Sequence, residues 1–399
     1  MKPFKLVVAL IGGIICSSIG DVILGNPTLI ASNANLPRDS DPAYVDGGLL
    51  IDASFATVKR DANNMNFYVS EYKGMKKFYG PITSPFQTLE WSRTERQLFP
   101  NDPSFISGNF GKRIWIPNMY QLTNGDILGF AHIEDYHTCK HYACAGTDPT
   151  DIPTNFTYRV GLAYSKDAGL TWKYTGDIIK PSLSGGQGTN VGGVPYLVVG
   201  NYFYVYYNDY PNMTSSVARA LITDVVTASQ TCSQSPYTNC PQVSWKKFND
   251  NNMANSGFNE NALTGVGSNI VPLLPGSTNS HGNFHSDAMY SSVLKKYFIT
   301  VQMVDGGGVP ISLNLYSSQD GINWGNMIVI DSTANRWSPY SSFVGLTNGS
   351  NDCRTLGSTS YLMYPRSGWH DNDYYIQDLY TRKLSLSTDI TPSVGFLAQ

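Results

Sequence analysis

The chain has 399 residues, of which only 14% are charged and 13% aromatic, with 37 Gly, 22 Pro and 26 Tyr. That mix suits many short strands separated by turns, packed as one all-β unit even at a length that two or three average domains could fill. A formal net charge of −3 with no Lys/Arg run supplies no basic field for phosphates, which excludes nucleic acid as a partner class.

The chain opens Met1-Lys2-Pro3-Phe4-Lys5 and runs on as an apolar stretch from Leu6 to Cys16, basic then apolar and too short to span a bilayer. This predicts a signal peptide and lead-in over residues 1–34. Two sites have small residues where a signal peptidase needs them, after Gly20 (Ser18-Ile19-Gly20) and after Ala34 (Ser32-Asn33-Ala34). The expected product is a secreted protein, extracellular or periplasmic, with no membrane role beyond export. Cys139 lies close to Cys144, and Cys232 close to Cys240, so two local disulfides are expected in an oxidising compartment, with Cys353 left over. Neither pair has the Cys-x-x-Cys spacing of a thiol metal site.

A recurring module follows, and it predicts a β-propeller of five blades, with six as the alternative, filling residues 40–399 as one domain. The first module spans about Tyr44 to Phe99, with inner strands at Gly48–Ile51 and Met65–Glu71. The second starts at Arg113-Ile114-Trp115-Ile116-Pro117 and continues through Asp126–Glu134. The third pairs Val194–Val198 with Tyr202–Asp209, and the fourth pairs His285–Tyr290 with Tyr297–Gln302. The fifth holds Ser342-Phe343-Val344, Tyr361–Arg366 and a last strand near Tyr380–Leu386. The Asn- and Gly-rich stretch from Phe248 to Asn283 reads as an extended loop, and no segment reads as a long amphipathic helix.

Two hairpins carry particular turn chemistry. Ser165-Lys166-Asp167-Ala168-Gly169-Leu170-Thr171-Trp172 closes the second module, and Ser318-Gln319-Asp320-Gly321-Ile322-Asn323-Trp324 closes the fourth. Asp and Ser side chains can bind nearby backbone groups, Gly supplies a positive φ, and the Trp lies back over the turn. In an up-and-down blade these hairpins fall at the end opposite the entrance of the innermost strand, so Asp167 and Asp320 are expected to be structural.

The same geometry gathers other groups at the functional end. Inner-strand entrances bring Asp46, Arg113, Asn190, His285 and Asp287. Second-strand exits bring Glu71, His132, Glu134, Asp135, Asn208, Asp209, Asp305 and Arg366. His132 and Glu134 are two apart, so on a strand they share a face. A second carboxylate at Asp135 would raise the Glu134 pKa toward what a general acid needs near neutral pH. His285 and Asp287 repeat this spacing and could serve as base or substrate clamp. Gly185–Gly193 is a glycine loop near the channel mouth with no helix after it to form a phosphate cradle. Trp115, Tyr136, Tyr210, Trp337, Tyr364 and Trp369 are candidate platforms for sugar faces.

The Ser-x-Asp-x-Gly-x-Thr-Trp hairpin resembles the Asp-box of sialidase-like propellers. The five modules, with Gly193-Val194-Pro195-Tyr196 ahead of Tyr202–Tyr207, resemble five-bladed propeller glycoside hydrolases, the clan of arabinanases and family 43 enzymes. The resemblance implies hydrolysis of a polysaccharide or oligosaccharide by paired carboxylates, in a monomer. By topology, Glu134 is the acid and Asp287 or Asp46 the base, with His132 and His285 beside them. Arg113, Trp115, Asn190, Asn208, Asp209, Tyr364 and Arg366 would contact substrate. A propeller polysaccharide lyase is the runner-up, with His132, His285, Tyr364 and Arg366 supplying base and cation. A sialidase-like exo-glycosidase or a non-catalytic glycan-binding propeller would share the architecture. The channel leaves room for a Ca²⁺ as the one candidate cofactor, though no oxygen-rich loop of EF-hand type specifies it.

Overall fold

The computed structural model describes residues 21–32, 51–71, 74–81, 111–136, 156–181, 191–209, 214–234, 240–250, 256–332, 336–345, 354–368 and 377–388. Two strands lead, β1 (Asp21–Leu24) and β2 (Thr28–Ala31). The first blade is β3 (Ile51–Lys59), β4 (Asn64–Glu71) and β5 (Gly74–Pro81). The second is β6 (Gly111–Gln121), β7 (Ile127–Tyr136), β8 (Phe156–Ser165) and β9 (Lys173–Ile179).

In the third blade a broken inner strand, β10 (Val191–Gly192) and β11 (Tyr196–Val199), pairs with β12 (Tyr202–Asp209). Outward from β12 come β13 (Thr214–Leu221), β14 (Lys246–Asn249) and β15 (Gly257–Asn261). The fourth blade repeats the broken inner strand with β16 (His281–Asn283) and β17 (Ala288–Ser291), then β18 (Lys296–Val304), β19 (Pro310–Ser318) and β20 (Gly325–Asp331). The fifth has inner strands β21 (Arg336–Trp337) and β22 (Ser342–Gly345); a short β23 (Thr355–Leu356) then crosses back to pair in parallel with β17 at the inner edge of the fourth sheet, before β24 (Thr359–Gly368) and β25 (Asp378–Ser387) complete the fifth.

The five sheets form a ring. β3 contacts β6, β8 contacts β10, β11 contacts β17, β17 contacts β22, and β22 returns to β3. The chain is a five-bladed β-propeller. Each sheet buries both faces against its neighbours, which is why its strands read as nearly continuous Tyr, Phe, Val and Ile. Leu128 and Phe130 of the second blade pack on Tyr196, Phe203 and Val205 of the third, while Tyr206 and Val217 of the third pack on Ile299, Val301 and Trp324 of the fourth.

Three features depart from the sequence reading. Gly257–Asn261, inside the stretch read as a loop, is a strand paired with β14. Ile222–Gln234 is a helix, α1, clasped at its end by the expected Cys232–Cys240 disulfide. β1 and β2, placed ahead of the domain, pair along β25 and complete the fifth blade. Cys139, Cys144 and Cys353 lie outside the described residues.

The Asp-box hairpins sit where expected. Asp167 accepts from the Thr171 amide at 2.8 Å and from Thr171 Oγ1 at 2.5 Å, and Asp320 accepts from the Ile322 and Asn323 amides at 2.9 and 2.8 Å. Burial alone would raise both carboxyls, but these hydrogen bonds hold them below the usual range. Each hairpin is also tied to the preceding blade: Tyr68 Oη donates to Ala168 O at 2.6 Å, and Tyr206 Oη to Gly321 O at 2.7 Å. Gly169, at φ 78°, lies so close to Tyr68 that an added Cβ would sit 2.6 Å from its ring. The hairpins are therefore clasps between blades. In the ladder, Ser165 faces Ile127 while Tyr158 faces Glu134; positions 127 and 134 are roughly 23 Å apart at about 3.3 Å per residue, so Asp167 and Glu134 occupy opposite ends of the blade.

Candidate functional site

The second blade supplies the centre. β6 and β7 are antiparallel, with Trp115 opposite His132 and Arg113 opposite Glu134. β7 is unbroken through this stretch, so His132 and Glu134 emerge on one face, and His132 Nε2 lies 3.5 Å from Glu134 Oε1. The Trp115 ring stacks on His132 at 5.6 Å, and Tyr158 meets the imidazole edge-on at 5.6 Å. From the fourth blade, His285 meets His132 edge-on at 5.3 Å, and Tyr340 closes the circle against His285 at 6.0 Å.

Further along the strands, toward the Asp-box end, hydrogen bonds tie the blades to one another. Asn118 Nδ2 reaches across to Ser286 O at 3.5 Å, and Ser54 Oγ donates to Pro117 O at 3.4 Å. Phe55 N donates to Ser342 Oγ at 2.6 Å, and Tyr196 Oη donates to Met119 O at 2.7 Å. Among the described residues the rings around His132 and His285 make a cup of aromatic and imidazole walls, with the Glu134 side chain beside it 15% exposed. Burial, with His132 beside it, pushes the His285 pKa down to about 3, so this imidazole is neutral throughout the physiological range. His132 Nδ1 is buried and has no hydrogen-bond partner among the described residues.

The other expected site residues have different fates. Asp287 is not in the cup. The inner strand of the fourth blade breaks between Asn283 and Ala288, which ends the alternation that would place Asp287 beside His285. Its carboxylate is fully buried, receives two guanidinium bonds from Arg354 at 3.1 and 2.9 Å, and accepts the Phe343 and Ala288 amides at 3.1 and 2.8 Å. Burial raises its pKa, against the pull of Arg354 and the amides. A carboxylate so enclosed is a structural anion and a poor candidate for a base that must reach substrate.

Asn208 is likewise spent on structure: its amide donates to Gly282 O at 2.5 Å and accepts from Phe284 N at 2.6 Å, joining the third and fourth blades. Gly193, at φ 78°, permits that approach, since an added Cβ would lie 2.2 Å from Phe284 O. Asp209 is fully buried, and Tyr364 is fully buried in the core between the fourth and fifth blades, stacked on Tyr380 at 5.9 Å. Trp115 is 2% exposed and supports His132 instead of offering a sugar platform. Arg366 is held by Asp331 at 2.7 Å and lies over Tyr380. Asp46 and Asn190 lie outside the described residues.

No protein-family model matches the chain, and the search of curated proteins found no match. Among solved structures, an exo-β-1,3-galactanase from Clostridium thermocellum is 11% identical at TM-score 0.45, covering 90% of this chain and 62% of its own. The catalytic domain of a family 62 α-L-arabinofuranosidase from Coprinopsis cinerea is 10% identical at TM-score 0.45, covering 90% and 97%. A family 32 β-fructofuranosidase from Bombyx mori is 11% identical at TM-score 0.45, covering 89% and 66%. The likeness is to five-bladed propeller glycoside hydrolases. It is an outline only, and the architecture here rests on the strand pairing above.

Two residues escaped the sequence reading. Arg354 lies 67 residues from Asp287 and also covers the Tyr196 ring at 4.7 Å, so one guanidinium ties together the third, fourth and fifth blades. Tyr340 lies two residues ahead of the expected Ser342–Val344 strand and carries no motif of its own. Among the described residues no group of three His, Cys, Asp or Glu is placed to hold a metal ion, and the walls offer few of the six to eight oxygens that Ca²⁺ takes.

Proposed function

We propose that the chain is a secreted carbohydrate-active hydrolase that cleaves glycosidic bonds of a polysaccharide or oligosaccharide at the top of this cup, with Glu134 as the acid/base. The observation that carries the reading is the His132–Glu134 contact at 3.5 Å, within a ring of aromatic and imidazole side chains drawn from the second, fourth and fifth blades. A protonated Glu134 would give its proton to the departing glycosidic oxygen, and His132, packed between Trp115 and Tyr158, fixes the carboxyl's direction. Hydrolysis by this route needs a second carboxylate. With Asp287 occupied by Arg354, Asp46, outside the described residues, is the remaining candidate.

Hydrolysis is favoured over β-elimination because three of the four groups that elimination would use are poorly placed for it, leaving only His132. Arg366 is paired with Asp331 and Tyr364 is buried, while an imidazole with a pKa near 3, as at His285, is a weak proton acceptor. Product analysis on a panel of neutral and uronate-containing glycans separates the readings. New reducing ends without a near-ultraviolet chromophore are expected. An unsaturated uronate would mean a lyase, release of free sialic acid a sialidase, and retention on a glycan without products a binding propeller.

A further inference from the structure

The sequence offers two equally good leader cleavage sites, and the fold distinguishes them. Residues Asp21–Leu24 pair antiparallel with Ser387–Leu384, and Thr28, Leu29 and Ala31 pair with Thr381, Tyr380 and Leu379. The two halves are joined at Gly25, whose amide donates to Lys383 O at 2.8 Å and whose carbonyl accepts Arg382 Nε at 2.7 Å. One segment thus runs the length of β25 as the outermost strand of the fifth blade.

Its side chains follow the strand period. Val22 and Leu24 pack on the core between the fourth and fifth blades, while Ile23 between them is 59% exposed. At the far end Ala31 is buried with Phe55, Met65 and Phe67 of the first blade and Met363 and Leu379 of the fifth, so the segment spans the seam where the ring closes. Cleavage after Ala34 would remove all of this and leave the ten residues of β25 as a bare edge, a template for pairing between molecules.

We propose that the leader is removed ahead of Asp21, and that Asp21–Ala31 stays in the mature protein as the strand that closes the propeller. Gly20, with Ser18 two residues before it, is then the cleavage site, and Ala34 is never cut. This holds whatever reaction the cup performs.

The full chain, expressed in a secreting host, is analysed by N-terminal sequencing and intact mass. An N-terminus at Asp21 is expected; an uncut chain, or an N-terminus anywhere from Val22 to Asn35, overturns the proposal. Two full-length variants test the strand itself. Leu24→Asp, which sets a carboxylate against the core where a partly buried leucine packs, should lower the melting temperature by about 3 °C or more, while Ile23→Asp on the exposed face should leave it within about 1 °C. Equal melting temperatures for Leu24→Asp, Ile23→Asp and the parent chain would overturn the closing role. If Leu24→Asp yields no soluble protein while Ile23→Asp does, the closing role stands.

Discussion

Replacing Arg354 by Met tests whether Asp287 belongs to the frame or to the chemistry. Asp287 is fully buried and Arg354 is 8% exposed, with two guanidinium–carboxylate bonds between them and a third from Arg354 to Ala288 O at 2.7 Å. Met fills much of the volume but leaves the carboxylate with only the Ala288 and Phe343 amides. Removing one partner of such a pair costs about 3–5 kcal/mol. At about 2.1 cal/mol/K per residue, the 399-residue chain loses roughly 0.8 kcal/mol of stability per degree near its midpoint, so the expected drop in melting temperature is about 4–6 °C.

The loss should also depend on pH. Burial raises the folded Asp287 pKa, and without Arg354 it rises further. In that window the folded state holds the proton and the unfolded state does not, so stability falls as pH rises. The deficit should therefore be larger at pH 7 than at pH 5, as read by thermal unfolding at both. Because an apolar pair of similar volume often replaces a buried ion pair at little cost, Arg354→Met with Asp287→Leu should recover most of the loss. Turnover of whichever glycan proves to be the substrate should survive in the double variant. A folded Asp287→Asn variant with no turnover and an unchanged melting temperature would refute the assignment and return Asp287 to the mechanism.

Two further outcomes follow from the frame. Lys247 is fully buried, donates to Lys180 O and Gly265 O at 2.9 and 2.7 Å, and burial pushes its pKa down to about 8, against the pull of Asp209 and Glu260. Between pH 8 and its unfolded value the unfolded chain binds the extra proton, so stability should rise with pH; relative to Lys247→Met, the parent chain should gain about 2–3 kcal/mol in urea unfolding from pH 7.5 to pH 10. A flat difference would mean that the ammonium is solvated. Tyr68→Phe and Tyr206→Phe each remove one clasp hydrogen bond at the Asp-box end; each should cost about 1 kcal/mol, nearly additively, with turnover unchanged. A turnover defect in either would mean that the two ends of the propeller are coupled.

The blades and clasps were legible because their signals are local. A Ser-x-Asp-x-Gly-x-Thr-Trp turn encodes its own hydrogen bonds, and Tyr/Phe-rich strands of even spacing encode a sheet buried on both faces. His132 and Glu134 were legible for the same reason, since two residues on one unbroken strand must share a face. His285 and Asp287 have the same spacing, yet the inner strand breaks between them, and nothing in Asn283–Asp287 reports that Arg354, 67 residues away, will capture the aspartate. The pairing of β1 with β25 spans nearly the whole chain and was equally invisible. Helix α1 was missed because Ile222, Thr223, Val225, Val226 and Thr227 are β-branched and argue for a strand. Its position over the second and third blades, with Val225 in their shared core, decides in favour of the helix.

The most direct test of the account is turnover by Glu134→Gln, measured as release of new reducing ends beside the parent protein, with thermal unfolding of both. The account predicts a loss of at least about 100-fold, the scale of one general acid/base, at an unchanged melting temperature. Activity within a few-fold of the parent would contradict it and remove Glu134 from the centre of the chemistry.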